Sequence, residues 1–303
     1  MRGMEPFKEL ISFEEARRTI LENVKPIDRT ERAPLEEAFD RVLAEDIVAE
    51  MSVPPFDRAS MDGYALRAEN TYGASSFKPR RLKLAGAAYP GEPFDGEVGP
   101  GECIQIATGC PMPKGADAVV MVEYTKEDEG FVEVQRPIYP GGNVAPKGED
   151  IEEGSRVLED GDYLTPPKVG VLAALGRRTV KVYSRPRVSI ISTGREVREV
   201  GLKLGEGEVY DTNSHTLSAI VAANGSTPIR HGITPDTYEE LRSAIEGALE
   251  SDMIVLSGGS SVGARDLLYD IVSELGRTLF HGVQVKPGKP TLFGLVQGKP
   301  LLG

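Results

Sequence analysis

Cysteine and histidine are scarce in this chain, and their scarcity narrows its chemistry. Two cysteines, Cys103 and Cys110, and three separated histidines, His215, His231 and His281, give none of the paired spacings of a zinc site. A disulfide across the stretch CIQIATGC is geometrically open, but free, partly buried thiols are the expected state in a reducing compartment. No apolar run approaches the about 18 residues of a membrane span, and no signal peptide is evident. The chain is therefore expected to be cytoplasmic and to have no membrane partner. Basic residues are also short: 35 Lys and Arg against 47 Asp and Glu leave a formal charge of -12, without the basic footprint of a nucleic-acid binder. The patterns GxxxxGK[ST] and GxGxxG are missing, so neither a P-loop nor a Rossmann dinucleotide site is expected.

What is present is length and punctuation. The 303 residues exceed one ordinary domain of about 100 to 200 residues, so two or three domains are expected. With 34 glycines and 22 prolines and no collagen-like period, tight turns and loops carry much of the design.

Residues 13 to 24 (FEEARRTILENV) and 34 to 44 (PLEEAFDRVLA) space apolar residues as helices do, with Pro34 in a first turn. From 51 to 139 the short runs RLKLAGAA, ECIQIA, DAVVMVEY and GFVEVQRPI, separated by Pro and Gly turns, predict a small antiparallel β domain. The helix PPKVGVLAALG, closed by Gly176, follows. Residues 1–50 and 140–176 are thus expected to form one elongated helical domain, with the β domain of 51–139 inserted into it. From 177 to 303 strands and helices alternate, which predicts a doubly wound parallel α/β domain. Within it Thr212 or Asn213 is expected to cap one helix, and Asp236 with Glu239 to form a capping box on the next.

In an open parallel sheet the ligand site lies beyond the carboxyl ends of the strands. Three loops there, STGREV, GITPD and SGGSSVGARD, carry Glu196, Asp236 and Asp266. Singly these acids read as a solvated loop residue and two helix caps. Ser257, Gly258, Gly259, Ser260, Ser261 and Gly263 are either a turn that uses glycine or a cradle for phosphate. Beside such a cradle the acids suit Mg²⁺, with Asp236 and Asp266 as metal ligands. Lys286 and Lys289 flank a Pro-Gly turn, as a solvated pair or as positive charge for an oxyanion. The stretch VPPFDRASMDGYAL, residues 53 to 66, fits no regular element, and its Asp62-Gly63 pair reads locally as a turn.

The motifs PPFDRASMDGYAL, ATGCPMPKGADAVV, GEDI, ISTGREV, YDTNS, SGGSSVGARD and VKPGKPTLFG occur in this order between residues 51 and 294. Together they resemble the molybdopterin molybdenumtransferases, the MoeA family that includes the gephyrin E domain. The resemblance implies a homodimer that inserts molybdate, or tungstate, into adenylated molybdopterin in a Mg²⁺-dependent reaction releasing AMP. It also implies that the MogA-like α/β domain of one subunit faces the β domain of the other. A molybdopterin adenylyltransferase of the MogA/MoaB type is an implied partner. Carried over by motif, Asp62, Thr108, Glu196, Asp236 and Asp266 are catalytic. Asp150, the Ser/Gly loop, Lys286 and Lys289 bind substrate. Arg195 departs from the family, which often has an acid there, and the chain stops at KPLLG where the family continues into a further β domain. A C-terminally truncated member is therefore expected. Two other readings are an adenylyltransferase, which would lack residues 1–176, and a non-catalytic molybdopterin-binding scaffold, which need not keep Asp62, Asp236 and Asp266.

Overall fold

The computed structural model describes residues 10–258 and 267–303. Two compact units result: one holds residues 33–180, and the other joins the described residues before Ala33 to those from Lys181 onward. The first helix, α1 (Phe13–Asn23), belongs to the second of these units. Ser12 opens it by accepting the Glu15 N–H at 3.2 Å, and Ala16 and Ile20 pack with Phe280, Val283 and Phe293.

The helix expected over 34–44 does not form; only a single 3₁₀ turn, Leu35–Glu37, is present. Its would-be helical donors go elsewhere. The amides of Asp40 and Leu43 bond the carbonyls of Leu164 and Asp162 at 3.1 and 2.8 Å, and Asp40 sits at a φ of 64°. A cross-chain ribbon thus outcompetes the local periodicity.

The β sheet of this unit comprises β1 (Gly63–Leu66), β2 (Arg80–Ala88), β3 (Glu102–Ile106), β4 (Ala118–Met121), β5 (Thr125–Asp128) and β6 (Phe131–Val134), ordered β4-β1-β3-β2-β6-β5. It is mixed rather than antiparallel as expected, because β2 and β3 run parallel. Residues 89–101 supply the long connection that a parallel pair requires. Alternate residues feed two cores: Tyr64, Leu66, Cys103 and Val120 on one face, Ala65, Ile104 and Val119 on the other. Cys103 and Cys110 are buried free thiols belonging to these two different cores. Gly63 is not a turn glycine. It begins β1, one strand in from the sheet's edge, where an added Cβ would lie 1.9 Å from the Val120 carbonyl oxygen.

Elsewhere in the unit the expected helix is present as α2 (Pro166–Ala174), with Gly176 at a φ of 70° beyond its end. It is the unit's one α-helix among the described residues. The remaining segments of 33–50 and 140–165 pair as short ribbons, such as Ile47–Val48 with Arg156–Leu158, instead of forming a largely helical body. Residues 33–50, 51–139 and 140–176 all fall in this unit.

In the α/β unit the elements are β7 (Arg187–Thr193), α3 (Thr212–Ala223), β8 (Thr227–Thr234), α4 (Tyr238–Gly247), β9 (Met253–Ser257), α5 (Leu267–Leu275), β10 (Gly276–His281), β11 (Leu292–Val296) and β12 (Lys299–Leu302). The strand order is β8-β7-β9-β12-β11-β10. Strands β8, β7, β9 and β12 are parallel as expected, whereas β11 is antiparallel to both its neighbours. The sheet is therefore mixed. Ile191, Ile254, Leu256 and Leu301 on its strands pack with Leu241, Ile245, Leu268 and Ile271 of α4 and α5. Caps fall one residue away from expectation: Asp211, not Thr212 or Asn213, accepts the Ser214 N–H ahead of α3, and Thr237, not Asp236, accepts the Glu240 N–H ahead of α4.

Candidate functional site

Register fixes where the chemistry of the α/β unit gathers. Ser192 lies opposite Ser257 and Thr193 opposite Thr234, so β7, β8 and β9 end at one level and release their loops on one edge. Gly258 leaves β9 at a φ of 107°, so close to β7 that a Cβ would lie 2.0 Å from the Thr193 carbonyl oxygen. A cleft of about 180 Å³ opens beside it, walled by Ser192, Thr193, Glu196, Asp211, Asn213 and Ser257 among others.

Asp211 is the anchor of this cleft and is only 2% exposed. Its Oδ1 accepts the Ser192 hydroxyl and the Ser214 N–H, both at 3.0 Å. Burial alone would push its carboxyl up, but the hydrogen bonds from Ser214 and Ser192 and the charge of Arg230 prevail and hold it below the usual range. Its Oδ2 and the Thr193 hydroxyl are buried without a partner. The Asn213 amide donates to Ser257 Oγ at 2.8 Å.

Of the residues expected here, Glu196 lines the cleft and is exposed, with its carbonyl oxygen accepting the Val209 N–H at 2.8 Å. Asp236 lies two residues past the end of β8 on the same edge but is not among the cleft's lining. Lys286 and Lys289 are exposed on the loop after β10. That strand runs in the direction of β9, so its loop leaves the same edge, three strands and about 14 Å away. Gly259, Ser260, Ser261, Gly263 and Asp266 lie outside the described residues. Among the described residues no group of three or more His, Cys, Asp or Glu is arranged to hold a metal. Arg195 is exposed and contributes its carbonyl oxygen to the Arg198 guanidinium at 2.9 Å.

Asp211, Ser192, Thr193 and Asn213 were not expected as site residues. The YDTNS motif held the signal for Asp211 and Asn213, since Asp before a helix is a strong cap, but local sequence does not reveal which carboxylate oxygen is left over.

The second group of motif residues lies in the β unit. Asp62 Oδ1 accepts both the amide of Thr108, at 2.7 Å, and its hydroxyl, at 2.8 Å. The amide bond first, then the hydroxyl, holds the Asp62 carboxyl below the usual range. Arg58 pairs with Asp150 at 3.5 Å. The loop is fastened on both sides: Ala59 exchanges backbone bonds with Cys110 and Gly109, Ser60 donates to the Asn143 carbonyl at 2.9 Å, and Asp57 accepts the Lys147 N–H at 2.7 Å. The motifs around Asp62, Thr108 and Asp150 are therefore one interlocked surface. A groove of about 410 Å³ adjoins it, lined by Asp57, Met112, Asp117 and Val144 among others.

Comparison with known proteins places both units. Residues 11–176 match the model of the MoeA N-terminal region (domain I and II), and residues 189–301 match that of a probable molybdopterin binding domain. The molybdopterin molybdenumtransferase of Haemophilus influenzae is 35% identical over 290 residues, 95% of this chain and 70% of that protein. The Bacillus subtilis molybdopterin molybdenumtransferase is 37% identical over 286 residues, 89% of this chain and 66% of that one. The crystal structure of the molybdopterin biosynthesis MoeA protein from Pyrococcus horikoshii OT3 superposes with a TM-score of 0.82 at 37% identity, covering 97% of this chain and 74% of that one. With matches across both units, the chain belongs to the MoeA family.

Proposed function

We propose that this chain acts in molybdenum cofactor biosynthesis as a molybdopterin molybdenumtransferase, inserting molybdate or tungstate into adenylated molybdopterin with release of AMP. The observation that carries the reading is that motif residues form two polar surfaces, around Asp62 and Thr108 and around Asp211, one in each unit. Such a split suits a two-part substrate held by a homodimer, the β unit of one copy facing the α/β unit of the other. The division into an elongated domain of 1–50 and 140–176, an inserted β domain of 51–139 and an α/β domain of 177–303 is part of the same proposal. So are a cytoplasmic setting and a MogA/MoaB-like adenylyltransferase that supplies the substrate.

Mg²⁺ uses one or two carboxylates and completes its shell with water and phosphate oxygens. Asp236 and Asp266 would hold it, with Glu196 nearby, and bound Mg²⁺ would polarise the phosphoanhydride. The exposed ammonium groups of Lys286 and Lys289 would pair with the tetrahedral oxyanion. Asp62 holds Thr108 and leaves its second oxygen for a donor on the substrate. Neither surface needs a protein nucleophile, because the dithiolene sulfurs of the substrate are the metal's new ligands.

The test is to incubate the chain with adenylated molybdopterin, Mg²⁺ and molybdate and to follow AMP by chromatography. Molybdate-dependent AMP release, reduced about 100-fold in Asp266→Asn, is expected. AMP that never appears, or appears equally without the oxyanion, overturns the reading in favour of a non-catalytic molybdopterin-binding scaffold.

A further inference from the structure

We propose that the cleft beside β7, β9 and the start of α3 is a subsite for a vicinal diol, recognised by Asp211 Oδ2 and the Thr193 hydroxyl. Resting on the transferase reading, that diol is the ribose of the adenylate half of the substrate.

Size comes first. At about 180 Å³ the cleft is smaller than the roughly 300 to 1,000 Å³ of pockets that enclose whole drug-sized ligands, so it takes a fragment of its substrate. Charge narrows which fragment. The lining carries two carboxylates, Glu196 and Asp211, and no Lys or Arg, so a phosphate or an oxyanion is repelled here. Unsatisfied groups then say what is wanted. A buried carboxylate oxygen without a hydrogen bond is costly, and Asp211 leaves one such oxygen while its other is already occupied by Ser192 and Ser214. Thr193, 2% exposed, stands on the same lining, and its hydroxyl is buried and also unpaired.

The missing partner is therefore a neutral group that donates to an anionic acceptor and exchanges a second hydrogen bond with a hydroxyl. Adjacent alcohols do both, and carboxylates hold ribose hydroxyls in other nucleotide sites for the same reason.

The experiment titrates adenosine and 2′,3′-dideoxyadenosine into the full chain by calorimetry. Adenosine is expected to bind at least about tenfold more tightly, the effect of a hydrogen bond to a charged acceptor. In Asp211→Asn that preference is lost: Asn caps helices as well as Asp does, but it can place an NH₂ donor where the free acceptor stood. Thr193→Val, which leaves the cap untouched, narrows the preference without abolishing it. Equal binding of the two nucleosides, or a preference that survives Asp211→Asn, overturns the proposal. So does Mg²⁺ or orthophosphate alone binding to a site that Asp211→Asn removes. AMP release, measured in the same preparations, separates the two claims. A diol preference without molybdate-dependent release leaves the subsite standing and refutes the transferase, and release without the preference does the reverse.

Discussion

One oxygen of Asp62 accepts two hydrogen bonds from a single residue, whereas Asp252 spreads its two oxygens over three donors. The Arg29 guanidinium reaches Asp252 at 2.6 and 2.8 Å, and the Arg187 N–H adds a third bond at 2.8 Å. Asp252 is 11% exposed in its side chain, Arg29 47%. The bond from Arg29 lowers the Asp252 carboxyl, burial opposes it, and the Arg187 amide adds to the lowering. A depressed carboxyl contributes stability above its unfolded value of about 3.9, and that contribution fades as pH falls through the folded value. Asp252→Asn is accordingly expected to cost about 1–2 kcal/mol at neutral pH and to cost little once Asp252 is protonated in both states. Urea titrations at about pH 7 and at successively lower pH check this, and a loss that stays unchanged as the pH falls would refute it. At the same scale, Thr108→Val removes the hydroxyl bond to Asp62 but keeps the amide bond. A rise in the Asp62 titration midpoint, followed by carboxyl NMR, is the expected result, and an unmoved midpoint would count against the pairing.

Two elements depend on a missing side chain. Gly63 admits the Val120 carbonyl of the neighbouring edge strand β4, and Gly258 admits the Thr193 carbonyl at the mouth of the cleft. Gly63→Ala forces backbone apart in a strand whose residues are all buried, and a loss of about 2–3 kcal/mol is expected by denaturant titration. Burial, then Glu127 and Glu102, pushes the Cys103 thiol up to about 12. Iodoacetamide at about pH 8 is expected to leave Cys103 unmodified until denaturant opens the sheet. Modification in native conditions would show that β3 is not the buried strand described. Elements set by local pattern, namely α1 through α5 and strands β7 to β9, were legible in the sequence. The failures share a cause: the 34–44 helix lost to carbonyls more than 100 positions along the chain, and the β2–β3 pair and the antiparallel β11 are choices of partner that no local period encodes. The site divides in the same way. The loop carrying Asp62 stood out by composition and that of Glu196 by its place after a strand, Thr108 was reached only through the family resemblance, and the unpaired oxygen of Asp211 exists only once Ser192 has been brought to it.

At the scale of the whole molecule, the carboxylates and hydroxyls of the motifs lie on two surfaces, around Asp62 and Thr108 in one unit and around Asp211 and Ser192 in the other. No helix among the described residues is long and apolar enough to cross a membrane. The units are joined in an unusual order, because residues 33–180 interrupt the other unit between α1 and β7.

That interruption is neatly closed at both sides. Ser184 donates its amide to the Arg29 carbonyl at 2.9 Å within one unit, and Leu35 donates to the Arg178 carbonyl at 3.0 Å within the other. Each unit's severed ends are therefore hydrogen-bonded neighbours, and the β unit is a parenthesis in the text of the α/β unit. A parenthesis can be lifted out without rewriting the sentence: joining Arg32 to Lys181 through a few glycines and serines should yield a cooperatively folded α/β protein, and residues 33–180 should tolerate circular permutation at their own seam.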